Sequence, residues 1–159
     1  PLTNPAEVKR QLTGAYSKEL IRPMALTLAQ LGSEKAWLVH GSDGTDELSI
    51  SGISWVTMLD ESGSIEDTEI HPEDFGLTPY PFEDILGSTP NVNAKAMSNL
   101  LNGKKSAYRE AVLLNSAAAL LIAGKTENKK EAVDMARNSI DSGAAQNKLD
   151  RLIKVTSEV

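Results

Sequence analysis

The sequence contains no cysteine. That removes disulfide scaffolds, thiolate zinc sites and cysteine nucleophiles together, and makes a reducing compartment, the cytoplasm, the expected location. Its two histidines are too few for a His-rich metal centre or for a persuasive Ser-His-Asp order. No apolar run approaches the ~20 residues of a membrane span, so no membrane association is expected. Neither a P-loop signature nor a GxGxxG fingerprint is present, and there is no internal repeat or low-complexity tract. The opening Pro1-Leu2-Thr3-Asn4-Pro5 has neither the basic start nor the apolar stretch of a signal peptide. Without an initiator Met, the chain is expected to begin in the middle of something.

What is present is an ordinary globular composition: 159 residues, 40% hydrophobic and 24% charged. That is enough chain for one substantial core, and a single domain over residues 1–159 is expected. The net charge of −6 argues against non-specific DNA binding, which depends on Lys and Arg neutralising phosphates. The charge is also uneven. Ala36 to Ala94 holds 12 carboxylates and no Lys or Arg, whereas Lys95 to Val159 holds 11 basic residues and 7 acidic ones. Such an acidic block reads either as a solvated, loop-rich face or as a surface that collects a divalent cation, and the two can coexist.

Gln11 to Tyr16 reads as a short strand. Ser17 can then cap a helix with Leu20, Ile21, Met24, Leu28 and Leu31 on one face and Gly32 as its stop. Pro23 inside that pattern predicts a late start or a bend. Lys35 to His40 reads as a buried strand closed by a turn-rich run, so strand, helix and strand suggest a crossover unit with parallel strands. Ile53–Leu59 and Ile65–Ile70, separated by Asp60 to Ser64, predict an antiparallel hairpin beside it. From His71 to Pro90 there is room for one or two helical turns. Helices follow over Asn93–Leu101, Ser106–Ala123, Asn128–Ile140 and Ala145–Ile153, with Gly124 and Gly143 as stops. The second of these is apolar on nearly every side and should be buried. The fold class expected is α/β, a mixed, mainly parallel sheet with flanking helices.

The sharpest chemical feature is Asp43-Gly44-Thr45-Asp46-Glu47-Leu48-Ser49, adjacent carboxylates in a Gly-containing loop directly after a buried strand. Loops at the carboxyl ends of parallel strands are where α/β proteins bind ligands. Hard cations such as Mg2+ are held by one or two carboxylates plus substrate phosphates, and Asp46 and Glu47 suit that role. The alternative is that Asp46 caps a short helix and Glu47 offsets its dipole. His40 reads as a structural histidine or an acid–base group. Asn115, inside the most apolar helix, reads as a tie between two elements, with ligand contact as the second possibility. His71-Pro72-Glu73-Asp74 reads as a helical first turn.

Taken together, several segments resemble one family. They are Pro1-Leu2-Thr3-Asn4-Pro5-Ala6, Gln11-Leu12-Thr13-Gly14-Ala15-Tyr16, Val39-His40-Gly41 with Gly44-Thr45-Asp46-Glu47-Leu48-Ser49, Pro72 to Leu77, Asn93-Ala94, Leu113 to Ala118 and Ile140 to Ala144. In that order they are similar to the latter half of anthranilate phosphoribosyltransferases. The resemblance implies an incomplete C-terminal domain of the nucleoside phosphorylase/phosphoribosyltransferase type. It also implies transfer of the 5-phosphoribosyl group from phosphoribosyl pyrophosphate to anthranilate, in tryptophan biosynthesis, giving N-(5-phosphoribosyl)anthranilate and pyrophosphate with Mg2+ as cofactor. Asp46 and Glu47 match the family's metal-binding pair. Pro1 matches the Pro of a Gly-Pro step lining the anthranilate pocket, a substrate-binding role; no residue is assigned a catalytic role.

By the same resemblance the Gly-rich pyrophosphate loop, the Arg that meets the anthranilate carboxylate and the dimerisation helices lie upstream. The chain is therefore expected to be a piece that needs its N-terminal half as partner, is inactive alone, binds metal weakly and exposes a sheet edge. A homodimer is expected of the full-length protein. Gly87-Ser88 stands where relatives tend to carry Gly-Gly. Two other readings remain: a pyrimidine nucleoside phosphorylase relative, and a non-catalytic relative that binds nucleic acid through the basic C-terminal helices, a reading the acidic block disfavours.

Overall fold

A parallel pair of strands sets the frame. In the computed structural model, which describes residues 2–157, β1 (Arg10–Gly14) lies parallel to β2 (Lys35–Gly41), joined by α1 (Lys18–Gln30). β2 then pairs antiparallel with β3 (Ser54–Leu59), and β3 with β4 (Ile65–Ile70), giving the order β1-β2-β3-β4. The sheet is mixed, as expected, but one pairing is parallel and two are antiparallel, a smaller parallel share than the sequence reading has. The reason is local: a single crossover unit is followed by a hairpin, and a tight turn can only reverse the chain.

That turn is closed by its own residues. The Asp60 carboxylate accepts from the backbone N–H of Ser62 at 2.8 Å and of Ser64 at 3.0 Å. Gly63, at φ +83°, takes the left-handed conformation that the reversal needs.

Two short 3₁₀ turns follow, Pro72–Phe75 and Phe82–Ile85, and then α2 (Pro90–Leu101), α3 (Ala107–Ile122), α4 (Lys129–Asp141) and α5 (Ala144–Ser157). α2 begins at Pro90, earlier than the pattern suggests, because Pro at the first position is already set to a helical φ. α1 starts at Lys18 and runs through Pro23. The ring deletes one N–H near the N-terminus, and burial of Ile21, Ala25 and Leu28 outweighs that loss. Ser17 occupies the cap position but does not cap; its hydroxyl donates to the Glu19 carboxylate instead.

β2 is covered on both faces. Ala36 and Leu38 pack with Ile21, Ala25 and Leu28 of α1, while Trp37 and Val39 join the cluster built on Leu113, Leu114, Ala117 and Ala118 of α3 and Val133 and Ala136 of α4. This is why β2 reads as a continuous apolar run rather than an alternating one. The Arg109 guanidinium, itself buried, meets Asp141 at 2.8 Å and fastens the start of α3 to the end of α4. Among the described residues no helix is long and apolar enough to cross a membrane.

Leu38, with no exposed surface, is the keystone of the α1 face. Leu38→Ala is expected to cost about 2–5 kcal/mol, and Leu31→Ala, at an exposed helix end, under about 1 kcal/mol. Urea unfolding of the two variants checks the contrast.

Candidate functional site

The carboxyl ends of β1 and β2 lie side by side, with Gly14 opposite Val39 in the register. Above them the chain from Ser42 to Ile53 folds into a fastened loop. The Gly41 N–H donates to the Thr45 carbonyl at 2.9 Å, and Ser42 N–H to the Ile53 carbonyl at 2.9 Å. Asp43 gathers the loop inward: its carboxylate accepts from the Thr45 N–H at 3.1 Å, the Thr45 hydroxyl at 2.7 Å and the Ser49 hydroxyl at 2.6 Å. Partial burial alone would raise the Asp43 carboxyl, but these hydrogen bonds outweigh it and hold its pKa below the ordinary value.

Two glycines make the fold-back possible. A Cβ on Gly41 would stand 2.5 Å from an Asp43 carboxylate oxygen, and one on Gly14 only 1.5 Å from the Asp46 carbonyl oxygen. The backbone of residue 46 therefore rests directly on the end of β1, which no side chain there would permit.

The loop contains no helix, so Asp46 is not a helix cap and Glu47 offsets no dipole. Both residues line a cavity of about 250 Å³ whose other walls are Leu12 and Gly14 of β1, Val39 of β2 and Asn115 of α3. Glu47 is exposed as a residue, yet partial burial of its carboxyl, reinforced by the charges of Asp46 and Asp43, pushes its pKa up. A cation there would relieve the repulsion, and hard oxygen donors suit Mg2+. Among the described residues no group of three or more His, Cys, Asp or Glu is placed to hold a metal ion. A metal ion held by the pair would need further ligands from outside it.

The other sequence candidates fall outside this cavity, except Asn115. The His40 Nδ1–H donates to the Ala15 carbonyl at 2.8 Å and its ring stacks on Trp55, a structural role. Glu73 and Asp74 sit in a 3₁₀ turn, with Asp74 accepting from the His71 N–H at 3.0 Å. Asn115 bonds Leu48 and so ties α3 to the loop. Pro1 lies outside the described residues. Sequence reasoning included Asp43 in the loop without giving it a role, and missed Gly14 and Gly41 as parts of the site; a glycine at a strand end was the available signal.

Asp43→Asn is expected to destabilise by about 1–2 kcal/mol at neutral pH, because the lost charge weakens the bonds from Ser49 and Thr45. A depressed carboxylate contributes stability above its unfolded pKa, ordinarily 3.8, and loses it as the pH falls through the folded value. The difference between variant and parent should therefore shrink on acidification below that range, as thermal melts across the acidic region would show.

Known proteins can be set against this geometry. The chain is 49% identical over 157 residues to the anthranilate phosphoribosyltransferase of Parvibaculum lavamentivorans, covering 99% of this chain and 46% of that protein. It is 48% identical over 157 residues to the enzyme of the same name from Rhodopseudomonas palustris, again covering 99% and 46%. It thus spans about half the length of the curated relatives it matches. Among solved structures, the anthranilate phosphoribosyltransferase of Saccharomyces cerevisiae in complex with PRPP and Mg matches with a TM-score of 0.88 and 30% identity, covering 100% of this chain and 46% of that one. Residues 1–146 match the glycosyl transferase family, a/b domain. That match takes in the whole sheet and helices α1 to α4, and the chain therefore belongs to the glycosyl transferase family, as its a/b domain.

Proposed function

We propose that this chain is the metal-binding α/β part of an anthranilate phosphoribosyltransferase, which moves the phosphoribosyl group of phosphoribosyl pyrophosphate onto the amine of anthranilate and releases pyrophosphate. The observation that carries the reading is the placement of Asp46 and Glu47 together at the wall of a cavity over the carboxyl ends of the parallel strands. The relatives at 49% and 48% identity, and a solved neighbour holding PRPP and Mg, support it.

In this reading Asp46 and Glu47 supply two hard carboxylate ligands to Mg2+, and diphosphate oxygens supply others. The ion, when bound, offsets the negative charge that grows on the departing pyrophosphate. The chain's own contribution is preorganisation. The loop is fastened by Asp43 and rests on Gly14, so the carboxylates are in place before substrate arrives. Leu12 and Val39 form an apolar wall beside them. The remaining length of the enzyme brings the pyrophosphate-cradling loop, the group that meets the anthranilate carboxylate and the dimer surface, so the 159-residue chain alone is expected to be inactive.

The test is loss of anthranilate fluorescence with phosphoribosyl pyrophosphate and Mg2+, measured on the natural protein at its full encoded length. Exchanging Asp46→Asn and Glu47→Gln together should lower the rate at limiting Mg2+ by about 100-fold, with a smaller loss at saturating Mg2+. Full activity of the double variant at limiting Mg2+ would overturn the assigned roles.

A pH dependence follows from Glu47, whose carboxyl takes its proton above the ordinary 4.5. The folded state then binds that proton more tightly than the unfolded state does. This group's contribution to stability therefore falls as the pH rises through the window just above 4.5. Melts should show Glu47→Gln flattening that slope, and cation affinity in the parent should rise across the same window as the ligand ionises.

A further inference from the structure

We propose that Asn115 is the positioning residue of the acidic pair: its carboxamide holds the backbone beside Glu47 and so sets where the two carboxylates stand. The inference rests on the metal reading of that pair.

Asn115 lies in the stretch Val112 to Ala123, where only it and Ser116 are polar. An amide in such surroundings costs free energy unless its hydrogen bonds are made. They are made to a purpose. The Nδ2 amide donates to the Ala111 carbonyl one turn back at 3.1 Å, which fixes the amide on its own helix. The other two bonds both go to Leu48: Oδ1 accepts from its N–H at 3.0 Å, and Nδ2 donates to its carbonyl at 3.0 Å. One side chain thus engages both backbone groups of one residue, as a hydrogen-bonded partner in an antiparallel ladder does.

Leu48 is the residue that follows Glu47, and its side chain is 2% exposed within the main core cluster. Backbone and side chain are both fixed, and the Cα of Glu47 is only about 3.8 Å further along the chain. On the other flank the Asp46 carbonyl rests on Gly14. The pair is therefore held between β1 and α3, and Asn115 is the α3 end of that grip. It also lines the same cavity as Asp46 and Glu47. A leucine would suit the helix and its apolar neighbours better, so what the amide adds is its hold on the loop. Partners that orient metal ligands in this way are commonly worth about 10–100-fold in metal affinity.

The experiment follows free Mn2+ by electron paramagnetic resonance, with phosphoribosyl pyrophosphate present, in the natural protein at its full encoded length. Near-ultraviolet circular dichroism reports the folded fraction. Asn115→Leu leaves the Leu48 groups unmet, and Asn115→Ser leaves room for a water in place of the amide, so at least one folded variant is secured. In either, the Kd for Mn2+ should rise about ten-fold or more, and the Mg2+ concentration for half-maximal rate should rise with it, while kcat at saturating Mg2+ falls less. Thr57→Val serves as the control. It removes a buried hydroxyl that donates to Asp67 at 2.7 Å in the hairpin, and it should lower stability without changing Mn2+ affinity. Parent-like Mn2+ affinity in a folded Asn115 variant, when the Asp46→Asn, Glu47→Gln pair has lost it, overturns the positioning role and leaves the metal reading standing. Parent-like affinity in that double variant overturns both.

Discussion

Everything about the site depends on how closely the backbone at residue 46 approaches the end of β1. The Asp46 carbonyl occupies the space where any side chain at position 14 would begin. That contact needs β1 and β2 to run parallel and end together, and it needs a loop that can turn back over them. Parallel pairing follows from the α1 crossover, which must travel from one end of the sheet to the other. The turn-back needs Gly41, whose missing side chain leaves room for Asp43, Thr45 and Ser49. Sheet order, crossover and loop are one device, and the acidic pair is what that device presents.

The fold was legible where a single physical signal dominated. β2 is an apolar run because both its faces are covered, and α3 is apolar nearly all round because it packs on the sheet, on α4 and against the acidic loop. The hairpin was legible from Asp60 and Gly63, whose carboxylate and positive φ make the turn. Reading failed where two local rules competed. Pro23 argues for a late start or a bend, yet α1 begins at Lys18 and a buried stripe either side of the proline carries it through. Ser17 is well suited to cap, but Glu19 two residues on takes its hydroxyl. In the site, the adjacent carboxylates were visible in the sequence. Gly14 was not, because its partner lies thirty-two positions away and is a backbone oxygen that leaves no mark in residue type.

The acidic block is not one structure. Asp60 closes a turn, Asp67 pairs with Arg22 of α1 at 2.7 Å, Glu69 accepts from the Trp55 indole at 3.2 Å, and Asp74 holds a 3₁₀ turn. Each has a local partner. Asp46 and Glu47, like Glu66, Glu73, Glu83 and Asp84, make no side-chain hydrogen bond or ion pair among those the structure shows for the described residues; what sets the pair apart is that both residues line the cavity over the ends of β1 and β2. Burial of the Glu47 carboxyl, with the neighbouring charges of Asp46 and Asp43 added to it, is what raises its pKa.

β1 pairs only with β2 among the described residues, so its other edge carries backbone groups with no strand beside them. The same short strand, Arg10 to Gly14, supplies Leu12 and Gly14 to the cavity. Any strand added along that edge would be laid against the floor on which the acidic loop rests. Assembly and ligand binding would then share one piece of backbone. A shift of register in the first would be felt as a change of shape in the second, with no intervening lever.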